Sequence, residues 1–409
     1  MPVLDMLALL AIALLFAKFA GGIAERIGVP SVLAELLTGI LIGNIGGALG
    51  HHYHDLEHSE LVHGLSELGV LFLLFLVGLE TSIKEIGRVG TDATLVAVMG
   101  VIAPFVLAFA TIPFLLPHSS FNHTLFMAAA LTATSVGITA RVLQDSNRLK
   151  SVSGQIILGA AVIDDILGVV ILTVVAALVR EGSVSALEVG HIFLNVGLFG
   201  LLVFLLRKYV FTGFIGRVHV LEISGTLTIF LLSLCLLFAW GAKYMGLEGI
   251  IGAFALGIAL DDVYFQRFSA TKHFGVEELL KPVADFFTPI FFIVMGMGVK
   301  IKELFNVDAL GLGLLLIVCA LVGKLVCGFG VRKASRERGG DRLLVGFGMI
   351  PRGEVGLIFA AIGQQTGVLN TADYSSVVLM VVVTTLLAPA LIAWRVKKLP
   401  ETVPASPAN

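Results

Sequence analysis

The sequence predicts an all-α, polytopic membrane protein of about thirteen transmembrane helices, built as an inverted-topology repeat with two crossed, discontinuous helices. Three observations carry that prediction. The 409-residue chain is 57% hydrophobic and only 14% charged, where a soluble domain averages about 25% charged residues. Apolar runs of roughly 20 residues, each enough to span a bilayer as a helix, recur from end to end. Motifs of the first half return in the second half at a nearly constant offset.

The expected spans are 3–25, 31–49, 62–82, 92–117, 122–144, 151–179, 187–207, 220–245, 248–266, 278–299, 308–331, 341–364 and 373–394. The first lacks the cationic flank of a cleavable signal peptide and carries Asp5 instead, so it reads as a span. The second holds Glu35 and Gly39, and the third ends at Gly78-Leu-Glu80. The fifth is interrupted by Thr132-Ala-Thr-Ser135 and Gly137. The sixth carries Asp164-Asp165 inside one of the most apolar stretches. Asp261-Asp262 closes the ninth, Asp285 and Pro289 fall in the tenth, and Lys324 lies within the eleventh. The twelfth is broken by Gly346-Phe-Gly-Met-Ile-Pro-Arg-Gly353. Connections are short and leave no room for a sizeable soluble domain.

Cation placement sets the orientation. Loops after odd-numbered spans and the span ends beside them, with the C-terminal tail, hold twenty Lys and Arg; the other loops and their span ends hold four. The N-terminus is therefore expected outside and the C-terminus in the cytoplasm, in the inner (plasma) membrane. No basic tract interleaved with aromatics points to nucleic acid, and no cofactor is implied. Cys319 and Cys327 are about 12 Å apart along one helix, too far for a disulfide; with Cys235 they read as buried hydrophobes.

The repeat pairs spans that differ by seven. Gly39-Ile-Leu-Ile matches Gly257-Ile-Ala-Leu, and Gly78-Leu-Glu-Thr-Ser-Ile-Lys-Glu-Ile86 matches Gly296-Met-Gly-Val-Lys-Ile-Lys-Glu-Leu304, both at an offset of 218. Val136-Gly-Ile138 matches Val355-Gly-Leu357 at 219. An odd difference makes the copies face opposite ways, as in secondary transporters whose sites lie mid-membrane between broken helices. A carboxylate at that depth costs several kcal/mol unless paired, protonated or hydrated. Adjacent helical side chains diverge by about 100°. One aspartate can thus face a cation on a neighbouring span while the other faces an ion cavity. Lys324, equally costly alone, is a candidate for that cation.

These motifs resemble the bacterial sodium/proton antiporters of the monovalent cation/proton antiporter superfamily, nearest the NapA-like and Kef-like branch. The resemblance rests on Thr132-Ala-Thr-Ser-Val-Gly-Ile138, Gly159-Ala-Ala-Val-Ile-Asp-Asp-Ile-Leu-Gly168, Gly323-Lys324 and Pro351-Arg-Gly-Glu-Val-Gly-Leu357, and covers about residues 1–396. The Asp-Asp pair departs from the Gln-Asp of Kef-like relatives, which points away from glutathione-gated potassium efflux. The resemblance implies a homodimer with a dimerisation domain (1–60 and 220–270), a linking span (181–219) and a mobile core (61–180 and 271–396); the tail (397–409) reads as disordered from its own residues. It implies Asp165 as the ion-binding carboxylate and Asp164 as the partner of Lys324.

The expected chemistry is competition. Sodium, or lithium, binds Asp165 with oxygens from Asp164, Thr132, Thr134 and Ser135, and protons displace it. Arg352 and Glu354 are expected to compensate the broken ends of span 12 or to pair with one another. Glu80 reads as an interfacial cap, Asp285 as a structural contact, Glu35 and Asp261-Asp262 as interface or funnel groups, and His51, His52, His54 and His58 as a solvated loop. A potassium/proton antiporter is the nearest rival, and a sodium-coupled symporter the next. An intramembrane aspartyl protease needs carboxylates facing one water from different spans, which adjacent aspartates do not supply. Paired carboxylates with a buried lysine also suit exchange better than rapid permeation.

Overall fold

The computed structural model describes residues 3–27, 29–49, 59–79, 81, 83–181, 186–211, 226–260, 276–299 and 307–400. Among them there is helix and no strand. Helices α1 (Val3–Arg26), α2 (Ser31–Leu49), α3 (Glu60–Leu79) and α4 (Ile83–Leu115) lead to a broken pair, α5 (Phe121–Ala130) and α6 (Val136–Asp145), and then to α7 (Val152–Glu181). Helix α8 (Ala186–Leu205) runs on into a π-helical turn, Leu206–Phe211. The second half repeats the pattern: α9 (Thr226–Tyr244), α10 (Gly249–Ala259), α11 (Val276–Met297) and α12 (Val307–Cys327), a short α13 (Lys333–Glu337), a second broken pair, α14 (Arg342–Gly348) and α15 (Glu354–Gln365), and α16 (Thr371–Lys397).

Nine helices among the described residues are long and apolar enough to cross a membrane: α1, α3, α4, α7, α8, α9, α11, α12 and α16. Shorter apolar helices lie in α2, α10 and α15. The protein is a multi-pass, all-α membrane protein. Helix α4 begins at Ile83, well before the expected start at residue 92. Its first turns carry Lys84, Glu85, Arg88 and Asp92, which mask a helix from a hydropathy reading. Asp92 is nevertheless fully buried. It accepts hydrogen bonds from Arg332 N (2.7 Å), Arg332 Nη2 (3.0 Å) and Ser335 Oγ (2.9 Å), so the carboxylate stays satisfied inside the helix bundle.

The 218-residue offset appears in space as two reciprocal crossings. Helix α2 packs on α11, and α3 on α10. At the first crossing a Cβ on Gly39 would lie 2.9 Å from Gly296 Cα, and one on Gly296 would lie 3.0 Å from Gly39 Cα. At the second, Gly78 and Gly257 stand in the same relation, at 3.0 and 2.7 Å. Each crossing pairs one residue with the repeat counterpart of the other crossing's residue. Only glycine lets backbones approach this closely.

The two interruptions meet. In the first, residues 131–135 leave the helix where threonine and serine hydroxyls compete for the backbone; Thr132 Oγ1 donates to Ala129 O at 2.8 Å. In the second, Pro351 has no N–H and disfavours a helical residue before it. Ser135 N donates to Pro351 O at 2.8 Å, tying one break to the other. Gly353 faces Ser135 so closely that a Cβ there would lie 3.0 Å from Ser135 Cβ. Helix α5 is buried from His123 to Ala130, which explains its apolar character on every face.

The loop histidines His51, His52, His54 and His58, Glu80, Asp261-Asp262 and the tail from residue 401 lie outside the described residues.

Candidate ion-binding site

Helix α7 has no proline or break near its middle, so Asp164 and Asp165 project in different directions from a regular backbone. Asp164 is 1% exposed, while Asp165 is only partly buried. Lys324 enters from α12 with no exposed surface. Its Nζ lies 3.4 Å from Asp164 Oδ1 and donates to Thr134 Oγ1 at 2.8 Å and Thr132 O at 2.9 Å. Arg352, also fully buried, donates through Nη1 to Thr132 O at 3.2 Å and to Ala133 O. Its own carbonyl accepts from Thr385 Oγ1 at 2.5 Å.

The placement has a simple electrostatic cause. Helix α5 stops inside the protein, and the last carbonyls of a helix carry partial negative charge with no intrahelical donor. Lys324 and Arg352 supply donors from two other segments. The Asp164 carboxylate balances one of them. Asp164 Oδ2 and the Nε and Nη2 of Arg352 have no hydrogen-bond partner among the described residues. Leaving such groups buried and unmatched costs about 1–3 kcal/mol each, so they are acceptors and donors available to an incoming ligand.

Asp165 faces the other way, onto a crevice of about 20 Å³ whose polar wall is Thr134, Ser135, Asp165, Glu248 and Gly353. That is room for about one water. The crevice adjoins a cavity of about 680 Å³ lined by parts of α2, α3, α9, α10, α11, α15 and α16 and by Arg352 and Gly353 of the second break. Its wall carries His63 and Glu67 of α3, Lys243 near the end of α9, and Gly298 and Val299 beyond α11. It therefore opens toward the end of the molecule where α3 begins and α9 and α11 finish.

The family described as "Sodium/hydrogen exchanger, transmembrane" matches residues 11–398. The chain belongs to this family. It is 36% identical to the high-affinity Na(+)/H(+) antiporter NhaS3 of Synechocystis, over 91% of this chain and 86% of that protein. It is 33% identical to the Na(+)/H(+)-K(+) antiporter GerN of Bacillus cereus, covering 94% and 95% of the two chains. An Na(+)/H(+) antiporter of Enterococcus hirae is 31% identical, covering 97% and 99%. Among solved structures, the sodium proton antiporter MjNhaP1 of Methanocaldococcus jannaschii superposes with TM-score 0.67 at 17% identity, over 98% of this chain and 99% of that one. That likeness establishes the exchanger fold.

Within this exchanger fold, Asp164, Lys324, Thr132, Thr134 and Arg352 form one buried cluster, and Asp165 and Ser135 line the neighbouring crevice with Thr134. Thr132 belongs wholly to the cluster: its hydroxyl is turned to Ala129 O and its carbonyl is held by both cations. Arg352 serves the break of the other repeat rather than its own. Glu354 opens α15, and its side chain lies outside the described residues.

The opposite end carries a charged network. Lys18 Nζ lies 3.6 Å from Glu35 Oε1, Arg141 Nε lies 3.2 Å from Asp145 Oδ1, and Arg141 Nη1 lies 3.5 Å from Asp285 Oδ1. Ser31 Oγ donates to Asp145 Oδ2 at 3.4 Å. These contacts tie α1 and α2 to each other, and link them through Ser31 to α6 and α11. Sequence reasoning had Glu35 and Asp285 but not Arg141 or Asp145, which look like ordinary charges at the end of a span. Glu248 was also missed. It starts a helix after a glycine turn, and only the tertiary fold brings it to the crevice.

Proposed function

We propose that this chain is a secondary active transporter that exchanges cytoplasmic sodium, or lithium, for external protons at Asp165. One observation carries the reading above the others. Two adjacent carboxylates sit beside crossed helix breaks, one tied to a buried ammonium and the other facing a crevice beside an open cavity. A dehydrated alkali cation needs hard oxygens, which Asp165, Ser135 and Thr134 present there, and Asp164 Oδ2 is a further acceptor close at hand. A proton on Asp165 removes the charge that holds the cation, so the two ligands compete.

Alternating access follows from cost. A bare carboxylate is expensive to carry past an apolar barrier, so the core moves when either ligand neutralises it. With the orientation read from the cation count, the open cavity faces outside, and the Lys18, Glu35, Arg141, Asp145 and Asp285 network closes the cytoplasmic end. Helices α3–α7 and α11–α16 form the moving core, α8 links, and α1, α2, α9 and α10 dimerise. The apolar outer face of α1, with Leu4, Leu15 and Phe19 all more than 70% exposed, suits a partner copy or lipid. If two protons replace one sodium ion, one on Asp165 and the second on the buried Asp164–Lys324 pair, each cycle moves one net charge, worth about 2.3 kcal/mol for each 100 mV.

A potassium/proton exchanger is the second reading, favoured by the 33% identity to GerN, named as an Na(+)/H(+)-K(+) antiporter. Proteoliposomes with sodium or potassium gradients and an internal pH dye test both readings. Sodium-driven pH change in the parent, its loss in Asp165→Asn, and a response to imposed voltage are expected. An active Asp165→Asn protein overturns the site, and a response to potassium alone selects the second reading.

A further inference from the structure

We propose that Glu248 is the carboxylate that passes cations between the open cavity and Asp165, and that it acts in only one of the two alternating states. The inference rests on the antiport reading above and adds a positioning residue to it. Glu248 is the N-cap residue of α10, with extended backbone (φ −69°, ψ 138°), yet its side chain makes no capping hydrogen bond. Its carboxylate is exposed and is not consumed by the helix it precedes.

Its position is decisive. Val70, Glu248, Ile250, Phe291 and Gly353 line both the 680 Å³ cavity and the 20 Å³ crevice, and Glu248 is the one ionisable side chain among them. The neck between the two spaces is therefore apolar on every side but one. A single charge beside low-dielectric walls focuses the local field and concentrates counter-ions. The other charges on the cavity are Glu67, Lys243 and Arg352, with His63 as a titratable neighbour. Lys243 and the buried Arg352 repel a cation; Glu248 opposes them where the path is narrowest.

The one-sidedness comes from the helices. Glu248 belongs to α10, which packs on α9 and α3. Asp165, Thr134, Ser135 and Gly353 belong to α7 and the two breaks. Movement of the breaks relative to α9 and α10 carries Asp165 away and leaves Glu248 behind. Glu248 then has no influence on loading from the opposite face.

The test measures the KM for sodium separately on each face, in right-side-out and inverted vesicles, for the parent, Glu248→Gln and Glu248→Asp. Glu248→Gln is expected to raise KM on the cavity face about fivefold, the effect of removing one unit charge beside the cation's path in an intermediate dielectric. The maximal rate should change by less than that factor, KM on the opposite face should stay put, and added choline chloride should narrow the difference. Glu248→Asp should recover most of the loss. Equal KM values for parent and Glu248→Gln on both faces overturn the proposal. So does an equal rise on both faces, or a loss of maximal rate that Glu248→Asp does not restore. Failure of the parent itself to exchange sodium for protons would strike the antiport reading instead.

Discussion

Replacing Lys324 by alanine probes the buried cluster most sharply. The ammonium has no exposed surface and serves three acceptors: Asp164 Oδ1 at 3.4 Å, Thr132 O at 2.9 Å and Thr134 Oγ1 at 2.8 Å. At that separation the ion pair is worth about 5 kcal/mol in an effective dielectric of ~20, before desolvation is subtracted. Removing one partner of a buried pair costs about 3–5 kcal/mol because the other charge is stranded. The long 3.4 Å contact and the nearby Arg352 place the expected loss at the low end, about 3 kcal/mol. With an unfolding entropy of about 2.1 cal/mol/K per residue, that is a fall in Tm of about 3–4 °C for a chain of 409 residues. Thermal unfolding of the purified protein in detergent measures it. Asp164→Asn combined with Lys324→Ala should recover about 2 kcal/mol relative to additivity, since neither charge is then left alone. A Lys324→Ala protein as stable as the parent, or a strictly additive double variant, would refute the reasoning.

Two further outcomes follow from the geometry. Gly39→Val and Gly78→Val each push a side chain into a facing backbone, with Cβ positions 2.9 and 3.0 Å from the opposing glycine Cα. Both should lose about 3 kcal/mol or more and reduce the folded fraction on size-exclusion chromatography to a similar degree, whereas Gly168→Ala, with nothing within 4 Å, should be neutral. Arg141→Gln removes the contacts to Asp145 and Asp285. It should increase alkylation of a Ser135→Cys reporter from the cytoplasmic face, and unchanged labelling would deny that network a closing role.

The parts of this protein that could be read before its structure are those that violate the chemistry of lipid. Asp164, Asp165 and Lys324 stand out because charge is rare at that depth, and Pro351 and the Thr132–Ser135 run stand out because they interrupt helices. The repeat was legible because close backbone crossings require glycine at matched places, Gly39 with Gly296 and Gly78 with Gly257. What could not be read is which acceptor each buried cation finds. Lys324 reaches a carbonyl and a hydroxyl of the first break as well as its aspartate, and Arg352 reaches across to the other repeat's helix end. Those partners depend on where two breaks cross, not on residue type. Asp92 carries no mark in the sequence of its place as a fully buried acceptor for Arg332 and Ser335. Glu248 carries no local signal at all.

Competition for one carboxylate has a direct thermodynamic signature. Sodium binding to the purified protein should release protons, and its Kd should rise at least tenfold for each pH unit lowered once Asp165 is protonated, more steeply where a second proton is also displaced. Calorimetric titrations in two buffers of different ionisation enthalpy, run across pH for the parent and Asp165→Asn, measure both quantities. Proton release in the parent and neither binding nor release in Asp165→Asn is the expected result; a sodium Kd that does not change with pH, with no proton released, would contradict it.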